Sequence, residues 1–108
     1  MRLEHYLTPD GRDVFQDWLN ALRDRKVRIA ILRRLDRIER DGHFGDRKPV
    51  EGAVSELRID LGPGYRIYCA QVGVALVLLL VAGDKSTQSR DIRKAIDYWK
   101  DYLKRRSQ

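Results

Sequence analysis

Apolar and polar positions change period several times along this chain, and each change marks an element. Arg2 to Leu7 alternates weakly, as a short strand does. After the turn residues Thr8-Pro9-Asp10-Gly11, the positions Val14, Phe15, Trp18, Leu19 and Leu22 recur at helical spacing, and Asp10 is placed to cap the helix they predict. The chain turns without glycine around Asp24 to Lys26. A second helix then sets Val27, Ile31, Leu35 and Ile38 on one face, with Arg28, Arg33, Arg34, Arg37 and Arg40 largely elsewhere. It ends at Asp41-Gly42, where glycine suits a left-handed cap. Residues 43–52, HFGDRKPVEG, read as a loop.

Three strands follow, at Val54 to Leu61, Tyr65 to Gln71 and Val74 to Val81. Short turns separate them, which predicts an antiparallel meander. The third, VALVLLLVA, is apolar throughout and is therefore expected at the centre of the sheet, covered on both faces. Gly83-Asp84 closes it. A last helix begins within Ser86 to Asp91 and carries Ile92, Ile96, Trp99 and Leu103 as its core stripe. Strand, two helices, three strands and a helix make a small α+β fold, with helices laid against one sheet.

The hairpin SELRIDLGPGYRIYCA, Ser55 to Ala70, has a register that can be argued. Pairing Leu61 with Tyr65 across Gly62-Pro63-Gly64 sets Ile59 opposite Ile67 and Leu57 opposite Cys69, so apolar residues meet throughout. On the other face Arg58 then lies opposite Tyr68 and Asp60 opposite Arg66. Arg58 and Arg66 become diagonal neighbours roughly 7–8 Å apart, a spacing at which two guanidinium groups can grip one phosphate. The plain alternative is ion pairing of Arg66 with Asp60, and of Arg58 with Glu56 or Asp46, which contributes little at a surface. A filled neighbouring strand would instead make this face a shallow basic cleft, with Lys85 at its rim.

Charge strengthens the second reading. The chain has 108 residues, one domain spanning 1–108, with 22 Lys and Arg against 16 Asp and Glu, a net charge of +6. From Lys85 to Gln108 eight basic residues stand against three acidic ones. Such a balance favours a polyanion or an acidic protein. Arg90 and Lys94, on the last helix beside Lys85, would extend a surface that tracks phosphates. Helix-2 arginines are expected to face solvent or an acidic partner. The one cysteine, Cys69, excludes an internal disulfide and a Cys-rich zinc site, and its place in the strand makes it a core residue. His5 and His43 are isolated, as structural or solvent-facing histidines are. The polar N-terminus and a longest apolar run of nine residues, Val74 to Ala82, predict a cytoplasmic protein with no membrane association. Neither metal-ligand spacing nor a P-loop occurs, so no cofactor or metal is expected.

SELRIDLGPGYRIY, with GDKSTQSRDIRKA after a buried strand, resembles the RelE/ParE superfamily of toxins, and more narrowly its HigB-like branch of phage-derived addiction module killer proteins. FQDWLNAL and FGDRKPVEGAVSELRI carry the likeness through nearly the whole chain. The resemblance implies a RelE-like domain, a curved antiparallel sheet with two N-terminal helices packed on it and a C-terminal helix. It implies a metal-independent endoribonuclease that cuts mRNA, often in the ribosome. It also implies a small cognate antitoxin, HigA-like with a helix-turn-helix. By position Arg58, Arg66 and Lys85 fall where the family places its basic active-site groups. A ParE-like poison of DNA gyrase and a non-toxic binding module on the same fold stay open, since the last helix offers Tyr98 and Tyr102 but no histidine. For RNA cleavage, Arg58 and Arg66 suit stabilisation of the phosphorane. Lys85 suits a second clamp or, desolvated among arginines, an acid or base. Tyr68 suits orienting the nucleophile, donating a proton or stacking on a base. Glu56 is a base or a holder of Arg58.

Overall fold

The computed structural model describes residues 1–107. Five strands form one sheet: β1 (Arg2–His5), β2 (Arg47–Glu51), β3 (Val54–Ile59), β4 (Tyr65–Val72) and β5 (Leu76–Asp84). Their spatial order is β1-β5-β4-β3-β2. Helices α1 (Val14–Ala21) and α2 (Arg25–Asp41) join β1 to β2, and α3 (Gln88–Arg106) follows β5 through a single 3-10 turn, Lys85–Thr87. The sheet is mixed rather than antiparallel, because β1 pairs parallel to β5. Among the described residues, no helix is long and apolar enough to cross a membrane.

Both N-terminal helices bury the stripes their periodicity predicts. Phe15 and Leu19 of α1, with Val27, Ile31, Leu35 and Ile38 of α2, pack on Leu57, Ile59, Ile67, Cys69, Val77 and Leu79. Burial pushes the Cys69 thiol up to about 11, as suits an inert core residue. Asp13, not Asp10, caps α1 by accepting from the backbone N–H of Gln16 at 3.0 Å. Asp10 is engaged by the Thr8 hydroxyl within the preceding turn. Gly42 closes α2 in the left-handed conformation, φ 71°.

The segment predicted as a loop contains the edge strand β2. Its polar residues and Pro49 disguise it, although proline is at home on an edge. Arg34 of α2 holds its entrance by donating to the carbonyls of Phe44 at 2.6 Å, Asp46 at 2.6 Å and Arg58 at 2.8 Å. That arginine is therefore structural, unlike the exposed Arg28, Arg33, Arg37 and Arg40. Desolvation by burial lowers its pKa, and the Asp46 charge opposes the shift.

The second face of the sheet belongs to α3, and its rotational phase is turned from the predicted one. Asp91 and Ala95 are buried, and Tyr98 and Tyr102 pack inward; of the predicted stripe Ile92 and Trp99 also reach the core, Ile96 is partly covered and Leu103 is 41% exposed. Gly83 accounts for the phase. A Cβ there would lie 1.9 Å from Asp91 Oδ2 and 2.6 Å from Thr87 Oγ1, so the first turn of α3 can sit on β5 only over a glycine. At its far half α3 is fastened to β1. Tyr6 stacks on Tyr98 at 4.7 Å and donates to Asp101 Oδ2 at 2.5 Å, and Arg105 reaches both Asp101 and the Leu7 carbonyl.

Two outcomes follow from these contacts. Gly83→Ala should cost about 1–3 kcal/mol by overpacking, read as a lowered urea midpoint with an unchanged slope. Burial, together with the Asp101 carboxylate, pushes the Tyr6 phenol up to about 12 from an ordinary value near 10. A raised folded pKa contributes stability that is complete below pH 10 and lost as pH climbs towards 12. The stability gap between wild type and Tyr6→Phe should therefore shrink across that window in urea titrations.

Candidate functional site

The hairpin keeps its predicted parity but moves by one pair. Ile59 faces Tyr65, Arg58 faces Arg66, Leu57 faces Ile67 and Glu56 faces Tyr68. The connection is accordingly five residues, Asp60 to Gly64, rather than three. A turn closed by the Gly64 N–H on the Leu61 carbonyl, 2.9 Å, takes up the excess. Both registers match apolar with apolar, so alternation could not separate them; the turn decided. Arg58 and Arg66 are thus directly opposed instead of diagonal. Like charges so placed are unfavourable.

Across the sheet, Arg66 is paired on its other side with Gly83 of β5. Two rows therefore run side by side beneath the start of α3: Arg58, Arg66 and Gly83, then Glu56, Tyr68 and Val81. From above, Gln88 donates to Glu56 Oε2 at 3.1 Å, and Asp91 accepts from Thr87 at 2.5 Å. The face read from sequence as a shallow basic cleft is instead covered by the start of α3. Arg66 is 5% exposed, and Glu56, Tyr68 and Asp91 are also buried.

Polar satisfaction beneath α3 is incomplete. Arg58 Nε, Arg66 Nε and the Tyr68 hydroxyl are buried and have no hydrogen-bond partner. Arg66 donates from Nη1 to its neighbour's carbonyl, Tyr65 O at 3.0 Å, and no carboxylate among the described residues comes within ion-pair distance of it. Arg58 reaches Asp46 only at 4.0 Å, with its side chain part-exposed at the mouth. Burial, reinforced by the charges of Glu56 and Asp91, drives the Tyr68 pKa upward; Arg66 opposes the shift. The phenol is accordingly a firm proton holder. Two arginine nitrogens and a phenol left without acceptors on one face of the sheet suit an oxyanion.

Lys85 joins this end of the hairpin. Its backbone N–H donates to Gly64 O at 3.0 Å, and a Cβ on Gly64 would lie 3.6 Å from Arg66 Nη1 and 3.9 Å from Lys85 Cβ. Outside the roof, Lys85, Thr87, Gln88, Arg90 and Arg93 line a cleft of about 380 Å³. The 3-10 turn Lys85–Thr87 that leads into α3 is capped by Asp84, which accepts from the Ser86 N–H at 2.8 Å.

Of the residues expected to act, Arg58, Arg66, Tyr68 and Lys85 are brought together and Arg90 lines the adjoining cleft. Lys94 is exposed farther along α3 and does not line it. Tyr68 is fully enclosed, so with α3 in place it has no ring face to stack on a base, which corrects that role. His5 sits in the edge strand β1, paired to Asp13 at 2.7 Å, and His43 lies in the loop before β2. Gln88, Asp91 and Gly83 were not singled out by sequence. Only the glycine carried a signal, as a residue without a side chain closing a wholly apolar strand. No group of His, Cys, Asp or Glu among the described residues is placed to hold a metal ion.

Residues 17–100 match the family described as Phage derived protein Gp49-like (DUF891), a family associated with toxin–antitoxin systems. A Haemophilus influenzae protein described as uncharacterized is 44% identical over 81 residues, covering 75% of this chain and 81% of the relative.

The unpaired phenol makes a stability prediction of its own. Tyr68→Phe removes a buried hydroxyl that nothing satisfies and should raise stability by about 1 kcal/mol. A fall of that size in urea unfolding would mean that the hydroxyl has a partner.

Proposed function

We propose that this chain, which belongs to the phage-derived Gp49-like family, is a toxin that cuts mRNA at the ribosome and is neutralised by a cognate antitoxin. The observation that carries the reading is Arg66: a guanidinium shut into the sheet, opposite a second arginine, whose Nε has no hydrogen-bond partner and which has no carboxylate within ion-pair distance among the described residues. A protein keeps such a group at a cost in desolvation, and an RNA phosphate would offset it.

In this reading Arg58 and Arg66 hold the scissile phosphate and neutralise the charge that builds on the phosphorane. Glu56, on the same face, takes the proton of the 2′-hydroxyl. The 2′-oxygen then bonds to phosphorus as the bond to the 5′-oxygen breaks, and Lys85 gives the leaving oxygen its proton. Tyr68 hydrogen-bonds a phosphate oxygen from below, and Arg90 steadies the flanking backbone. Because the start of α3 covers Arg66, the Gln88–Glu56 contact must yield for substrate to enter. The ribosome contributes by presenting mRNA already aligned, and free RNA is a poor substrate.

The test is expression from a tightly repressed promoter with mRNA 5′ ends mapped by primer extension, wild type beside Arg66→Met. Wild type should produce new cuts in translated frames. Arg66→Met should lose them by roughly 10²-fold or more while keeping the wild-type circular dichroism spectrum and a cooperative urea transition. Growth arrest without new cuts, persisting in the variant, would overturn the reading in favour of a target such as gyrase. Harmless expression would remove the toxin reading altogether.

A further inference from the structure

The start of α3 is tied to the hairpin beneath it by few bonds. Most of its hydrogen bonds stay local: Asp84 accepts from the Ser86 N–H at 2.8 Å, and Thr87 donates to Asp91 at 2.5 Å. At the hairpin end the Lys85 N–H donates to Gly64 O at 3.0 Å. Among the described residues, one side-chain hydrogen bond runs from Lys85–Asp91 to β3 or β4, from Gln88 Nε2 to Glu56 Oε2 at 3.1 Å. Gln88 is the first residue of α3 and is half-buried, so a change of rotamer puts its amide in water. It also lines the outer cleft with Lys85, Arg90 and Arg93. One glutamine therefore borders the outer cations on one side and the covered arginine face on the other.

What it covers resists covering. Arg58 Nε, Arg66 Nε and the Tyr68 hydroxyl are buried without partners, and such groups recover hydrogen bonds once water or an anion reaches them. A closed arrangement opposed by three unmet donors and held by one side-chain bond opens locally at low cost. We infer that Gln88 is a gate residue that decides what reaches Arg66. Its amide on Glu56 closes the arginine face, and its outward rotamer opens that face towards the Lys85, Arg90 and Arg93 cleft, with Asp91 still seated on Gly83. A gate of this kind selects its ligand. An anion that touches only the outer cations binds both forms alike and shifts nothing, whereas a strand of linked phosphates gains Arg66 only when Gln88 swings out. The site thereby prefers a polynucleotide strand to a single phosphate. That the strand is mRNA rests on the reading above.

Access is measured by the reaction of arginines with phenylglyoxal, resolved residue by residue with peptide mass mapping, and no RNA is present. In the wild-type chain Arg66 should react roughly tenfold or more slowly than the exposed Arg33. Gln88→Met keeps the length of the side chain and removes its donor, so Arg66 should react about tenfold faster. Glu56→Met, which removes the other end of the same bond, should do likewise. Arg34, bonded to three carbonyls, should keep its slow rate in both variants, and both should retain a cooperative urea transition. Arg66 as reactive as Arg33 in the wild type, a rate unmoved in both variants, or Arg34 accelerating together with Arg66 would overturn the gate. Cutting of free RNA by wild type and Gln88→Met then tests the nuclease reading separately: faster labelling with no cutting by either chain supports the gate and removes the nuclease.

Discussion

The missing side chain of Gly83 is the constraint from which the rest of this molecule follows. It lets the first turn of α3 rest directly on β5, with Asp91 and Thr87 where any other residue would place its own Cβ. Close packing leaves no room for compromise at that distance. Once Asp91 points inward, helical geometry commits the remaining turns: Ala95, Tyr98 and Tyr102 face the sheet, Ile92 and Trp99 still reach the core, and Leu103 is left exposed. Tyr6, Asp101 and Arg105 fasten the other end of the helix to β1, so the phase is held at both ends. The roof over the arginines and the exposed Leu103 are two results of one contact.

Beneath that roof the protein breaks a rule it obeys elsewhere. Its hairpin sets Leu57 opposite Ile67 and Ile59 opposite Tyr65, and Asp13 and Asp24 cap the two N-terminal helices. Yet Arg58 and Arg66 stand opposite each other, and three of the buried donors on this face have no acceptor. Buried carboxylates do lie nearby, but Glu56 is engaged by Gln88 and Asp91 by Thr87. Among the described residues, neither carboxylate stands within ion-pair distance of Arg66. Departures of this kind, in a fold otherwise consistent from local pattern to packing, are where function is expected to reside. They also explain how a net charge of +6, unremarkable in itself, becomes a directed site.

Fold and site were unequally legible in the chain. The stripes of α1 and α2, the glycine end of α2 and the three consecutive strands follow from apolar spacing, because each such pattern records which side of one element is buried. Strand β2 did not follow, since its place depends on Arg34 reaching three carbonyls from a different helix. The parity of the hairpin was readable and its register was not: alternation is unchanged by a shift of one pair, whereas the five-residue turn distinguishes the two. Arg58, Arg66 and Lys85 could be grouped from strand positions alone. Their enclosure could not.

By itself, then, the sequence determined an α+β chain with a basic C-terminal third, two N-terminal helices of known inward face, and arginines gathered on one side of a hairpin. These are local properties, set by period and composition. Tertiary structure alone decided that β1 lies parallel beside β5, that α3 covers the arginine face, and which of the two apolar sides of α3 turns inward. The physical reason is that α3 carries two usable faces, Asp91-Ala95-Tyr98-Tyr102 and Ile92-Ile96-Trp99-Leu103. Hydrophobicity alone favours the second, and it is steric fit over one glycine, together with hydrogen bonds to residues far away in the chain, that turns the first inward while Ile92 and Trp99 of the second still reach the core.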